Sequence, residues 1–211
     1  MSLRVLRGSA VLFLPMLAEA QTPAGRLSEA GVYRAAALVD SVFVERARRE
    51  STVEGADFAS YLVARLGVRP VPSDLALDVV VDSSGVRIGG RLDELPPQVK
   101  AELGAAVAFL DPGSIVTADV VLRPAGTGVV RFHLRSILVN GFPLPEPLLV
   151  PLMAEVGVRY PALTKTGRDL LVAIPADGDV QLLPGAVRVA ISGPLGAAPR
   201  GPGGVVPNRI Y

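Results

Sequence analysis

The sequence predicts an α+β fold in which a curved, mostly antiparallel sheet carries long helices packed on one face. Three observations lead there. From Pro72 onward, seven short segments have apolar residues at every second position, the spacing of half-buried strands. Turns rich in Gly, Pro and Asp separate most of them at hairpin length, so consecutive strands should pair antiparallel. Before and between the strands, apolar residues recur every three or four positions, as on one face of a helix.

Taken in order, Met1 to Gly8 carries Arg4 and Arg7, Ser9 to Leu17 is an apolar run, and Ala18-Glu-Ala20 has small residues where a signal peptidase needs them. Residues 1–20 therefore read as a signal peptide cleaved after Ala20. The run is shorter than the roughly 20 apolar residues that span a bilayer. An uncleaved anchor or a buried helix is the competing reading, since Pro15 is atypical of a signal run. Export across the inner membrane into the periplasm follows from the first reading. The mature chain begins at Gln21, and its residues 21–192 are then a single domain on size.

Gln21 to Gly25 is a short linker, after which Val32, Ala35, Ala36, Val39, Val42 and Phe43 mark one helix face. That helix should end near Glu45-Arg-Ala-Arg-Arg-Glu50, a solvated cluster in which Glu45 and Glu50 flank Arg46, Arg48 and Arg49. Ser51-Thr-Val-Glu54 fits a capping box, so a second helix is expected from Ser51 to Gly67. Leu75, Leu77, Val79 and Val81 begin the alternation. Asp82-Ser-Ser-Gly85 turns it into Val86, Ile88 and Leu92. Pro96-Pro97 opens a helix with Val99, Leu103, Val107 and Leu110, closed by Asp111-Pro-Gly113. Val116, Ala118, Val120 and Leu122 form the next inner face. Across the Pro124-Ala-Gly-Thr-Gly128 turn, Val130, Phe132, Leu134, Ser136 and Leu138 share a face, with Arg131, His133 and Arg135 opposite. A Pro-rich helix follows, then strands at Leu170 to Ile174, Val180 to Leu183 and Val187 to Ile191. The tail, residues 193–211, is dominated by Gly and Pro and reads as disordered.

Composition narrows the function. With the leader gone, removal of Arg4, Arg7 and Glu19 takes the charged residues from 21 basic and 20 acidic to 19 of each. A neutral chain has no global attraction for nucleic acid or anionic membrane. There is no cysteine, which excludes disulfides, thiol catalysis and thiolate metal sites. The single histidine, His133, has no second histidine to form a metal pair and sits between two arginines. Asp177-Gly-Asp179 lacks the spaced oxygen ligands that calcium requires, and no glycine pattern forms a phosphate loop. The chain reads as a non-enzyme without cofactor or metal. Yet half its residues are hydrophobic and its mean hydropathy is +0.44, without a long apolar run after the leader. Those residues must fill a core or line a cavity.

The segment Asn140-Gly-Phe-Pro-Leu-Pro-Glu-Pro-Leu-Leu149, which joins an amphipathic strand to an apolar helix, resembles the LmeA-like and YceB-like bacterial envelope lipid-binding proteins. These are related to the tubular lipid-binding (TULIP) superfamily. The resemblance extends over about Leu75 to Ile191, and without cysteine this chain departs from the lipoprotein version. It implies a long helix across a curved sheet with lipid chains between. The expected lipid-binding residues are then Phe132, Leu134, Leu138, Phe142, Leu144, Leu148, Leu152 and Val156. The expected partner is a phospholipid or other lipid, with peripheral membrane contact and no nucleic acid. The same strand–helix pattern also serves an ordinary α+β core. A structural or assembly protein of the envelope with a filled core is the alternative.

Overall fold

The computed structural model describes residues 24–68, 71, 76–95, 100 and 110–196. The expected signal peptide, most of the expected tail and, apart from Lys100 and Leu110, the helix expected from Pro96 lie outside them. The described residues form an α+β structure of three α-helices and two antiparallel sheets. Where the sequence led us to expect one sheet, there are two.

Helix α1 (Glu29–Phe43) begins at Ser28, whose Oγ accepts a hydrogen bond from the Gly31 amide at 3.0 Å, and it buries the expected stripe at Val32, Ala35, Val39, Val42 and Phe43. The Ser28 amide also donates to Ser60 Oγ at 3.0 Å, which fastens α1 to α2 (Gly55–Arg65). The second helix thus starts later than the capping box implied. Glu50–Glu54 is instead strand β2, paired antiparallel with β10 (Ala186–Ile191), with Val53 buried opposite Val187. A five-residue ladder satisfies more backbone groups than one cap would. The strand runs directly into the helix at Gly55, whose amide donates to the Gly185 carbonyl at 2.9 Å. A Cβ there would stand 2.5 Å from Val81 Cγ2, so this strand-to-helix corner needs glycine.

The larger sheet has the order β1 (Gly25–Arg26), β3 (Asp78–Asp82), β4 (Gly85–Arg91), β5 (Ile115–Pro124), β6 (Val129–Val139) and β7 (Phe142–Pro143). Strand β6 is long enough for two partners. Its far end pairs with β7, and its start pairs with β8 (Asp169–Ala173), which returns after helix α3 (Glu146–Arg159). The smaller sheet is β2, β10 and β9 (Gly178–Leu183). One apolar cluster joins them all: Val32 and Val42 of α1, Ala59 of α2, Val79 and Val81 of the larger sheet, and Val187 and Val189 of the smaller.

The charged cluster after α1 is exposed at Glu45, Arg48, Arg49 and Glu50, as expected, but not at Arg46. Arg46, at φ +51°, is only 4 % exposed, and its guanidinium donates to both Asp177 oxygens at 2.9 and 2.8 Å. This hydrogen bonding is the main force that holds the Asp177 carboxyl below its usual range. Asp177 also accepts from the Gly193 amide at 2.9 Å, and the Gly196 amide donates to the Arg46 carbonyl at 3.1 Å. The first residues assigned to the tail, Gly193 to Gly196, are therefore tied to the domain. The sequence showed neither bond to Arg46, because Asp177 and Gly196 lie more than 100 residues from it.

Candidate functional site: an apolar cavity under the third helix

Helix α3 starts from Pro145 with Pro147 in its first turn, where a missing amide costs nothing. Its inner side is Leu149 and Met153, both buried, and half-buried Val156, the i, i+4, i+7 spacing of one helix face. These three do not close against the sheet along their whole length. Between α3, α2 and the sheet lies a cavity of about 300 Å³. Ala59, Leu62, Val63 and Leu66 of α2 form one wall, and Met153 and Val156 of α3 the other. The floor is Val86 and Ile88 of β4, Ala118 and Val120 of β5, and Phe132, Leu134 and Ile137 of β6. Two of the lining residues, Ala59 of α2 and Ala118 of β5, contribute only a methyl each, and that shortage of side-chain volume leaves room.

The loop from Leu163 to Leu170 forms the rim. It lies against α3 backbone to backbone: a Cβ on Gly167, which has φ +69°, would sit 1.8 Å from the Met153 carbonyl oxygen. Next to it, Arg168 is the one charged residue among the described residues lining the cavity. Its carbonyl accepts from the Leu134 amide at 2.8 Å. Its guanidinium bonds Glu146, the first residue of α3, at 3.3 and 2.5 Å.

Of the eight residues expected from the sequence, Phe132, Leu134 and Val156 line this cavity. Leu144 packs beside it against the small cluster of Leu134, Leu149 and Met153. The other four do not line it, and each has a physical cause. Leu138 is turned away by a β-bulge: β5 and β6 are in register up to Val120 opposite Leu134, then resume with Asp119 opposite Ser136, leaving Arg135 unpaired. Beyond that point Ile137 faces inward beside Ala118, and Leu138 faces outward beside Thr117. Phe142, 76 % exposed, is on the two-residue edge strand β7, and Leu148, 47 % exposed, is on the solvent side of α3. Leu152 is half-buried outside the lining. Counting every fourth residue from Leu144 drifts around a helix of 3.6 residues per turn, and it misses Leu149 and Met153. Ile137, Met153 and Arg168 are what that count overlooked. Ser136, a polar residue within an apolar alternation, was the signal of the bulge.

The outer face of the sheet is a field of paired charges. Arg87 bonds Asp82 at 3.0 Å, Arg135 bonds Asp119 at 2.9 Å, and His133 Nδ1 lies 2.8 Å from Asp169 on β8. On its own strand His133 has only arginines for neighbours; the acid that meets it comes from the next strand. An open pocket on this face, about 500 Å³, is lined by Arg26, Arg87 and Arg91, each with an acidic partner. Among the described residues, no three His, Asp or Glu stand together as a metal site would need, and no helix is long and apolar enough to cross a membrane.

No family model matches the chain, and comparisons with curated proteins and with solved structures find no match either.

Proposed function

We propose that this protein is an exported envelope protein that binds lipid acyl chains in the cavity beneath α3. The observation that carries the reading is the continuous apolar lining of this half-open space. Its volume of about 300 Å³ lies at the lower end of ordinary ligand pockets, and aliphatic side chains line it on every wall. Such walls suit a flexible hydrocarbon chain, each buried methylene of which contributes roughly 0.8 kcal/mol. In a structural protein with a filled core these apolar walls would be left facing water, at a cost of about 25 cal/mol per Å² of apolar surface. The likeness of Asn140 to Leu149 to the LmeA-like and YceB-like proteins agrees with this reading, although Phe142 and Leu148 of that segment stand outside the cavity. The signal-like leader supplies the compartment, and intact mass of the periplasmic protein, expected to begin at Gln21, tests it.

The binding test is a titration with the neutral fluorophore N-phenyl-1-naphthylamine. One molecule should bind per chain and be displaced by medium-chain alkyl compounds. Absence of binding to the delipidated, folded protein refutes the proposal.

A further inference from the structure

The cavity beneath α3 has a definite size and almost nothing in it to hold a head group. Among its lining residues only Arg168 has a polar side chain, and that guanidinium is bonded to Glu146, whose side chain is 64 % exposed. The other walls, from Leu62 and Val63 on α2 to Met153 and Val156 on α3, present hydrocarbon and one thioether. A polar head carried in among them would lose its hydrogen bonds to water and gain none from these side chains, so it stays at the open side in solvent. What such a site can read is the chain.

The volume sets how much of a chain fits. A methylene takes about the share of space that a water has in the liquid, roughly 30 Å³, so about 300 Å³ holds on the order of ten carbons. Two acyl chains of membrane length would leave most of their hydrocarbon in water, without the gain that burial brings. Resting on the acyl-chain reading above, we propose that the ligand is a single-chain amphiphile of medium length, selected by its chain and not by the charge of its head. The small side chains of Ala59 and Ala118 make room for that chain, so a change of side-chain volume in the lining changes the length that fits.

Displacement of N-phenyl-1-naphthylamine from the delipidated protein by alkylphosphocholines from hexyl to hexadecyl, kept below their micelle concentrations, tests this directly. Affinity should rise about fourfold per added carbon and level off near about ten carbons. Decanol, decanoate and decyltrimethylammonium should bind within about tenfold of one another. A phosphatidylcholine with two decanoyl chains should gain less than about tenfold over the lysophosphatidylcholine with one, whereas a second buried chain would add about fourfold at every carbon. Ala118→Leu fills about 90 Å³ and should move the plateau to about seven carbons, and Leu62→Ala, which removes three carbons from a half-buried wall position, should move it to about thirteen. The two variants shift it in opposite senses, so the test survives a folding failure in either. Affinity that climbs unbroken to hexadecyl, a head-charge preference beyond about tenfold, a large gain from the second chain, or a plateau unmoved in a folded variant overturns selection by the chain while leaving the acyl cavity standing. Failure of the fluorophore and of every alkylphosphocholine to bind overturns both.

Discussion

Enlarging Ala118 distinguishes a ligand cavity from a packed core by the sign of the effect. Ala118 lies on β5 between Ile88 and Ile137, with its methyl toward the cavity. Ala118→Leu adds three carbons, about 90 Å³ at roughly 30 Å³ each, so the new side chain takes about a third of the available 300 Å³. Each carbon moved from water into apolar surroundings stabilises by about 0.8 kcal/mol, which sets an upper bound near 2.4 kcal/mol. Ordering the longer side chain costs about 0.5–1 kcal/mol, which leaves a gain of about 1–2 kcal/mol. In a dense core the same change would force its neighbours apart and cost about 1–3 kcal/mol. Urea unfolding of delipidated wild type and variant reads the difference, because ligand bound only to the folded state would otherwise mask it. The account requires a higher midpoint together with weaker fluorophore binding. An unfolding free energy lowered by about 1 kcal/mol or more would refute the reasoning, since it means that the space is already occupied.

The two sides of α3 should respond oppositely to polar groups: Leu149→Gln, at a residue 1 % exposed, should cost about 2–4 kcal/mol in urea unfolding, and Leu148→Gln under about 0.5 kcal/mol. Asp177→Asn strands the buried Arg46 cation and should destabilise by about 3 kcal/mol at neutral pH. Because the carboxyl of Asp177 is held below its usual range, its contribution is full above about pH 4 and is lost as pH falls through the lowered value; the variant's acid-unfolding curve should therefore fall less steeply there than that of wild type. Gly167→Ala combines a left-handed backbone with a clash against the Met153 carbonyl, so thermal melts should show a loss above about 2 kcal/mol.

What the sequence displays is local, and the structure departs from it where distant residues decide. Ser28 and the stripe from Val32 to Phe43 specify α1 without help, and the alternation in β5 and in the first half of β6 identifies the inner face correctly through Leu134. The face of β6 then inverts at Arg135, because one unpaired residue flips a period-two pattern and nothing in β6 alone shows what β5 does. Similarly, Glu50–Glu54 has the residues of a helix start, and only β10 makes it a strand. Without that strand, the smaller sheet could not be separated from the larger. Helix α3 is apolar on most sides: Val150 and Val158 are exposed while Leu149 and Met153 are buried, so periodicity could not select its inner face. The site was legible as a strand and helix enclosing something apolar. Its inner residues Ile137 and Met153 were not, since the bulge and the apolar surroundings of α3 hide which face turns inward.

Native mass spectrometry of the purified protein, with extraction and identification of whatever accompanies it, tests the central claim most directly. The account predicts one copy of a lipid-like molecule per chain, lost from Ala118→Leu while the variant stays folded. A wild-type protein that carries no such molecule in any preparation, and takes up none when medium-chain amphiphiles are supplied, would contradict it.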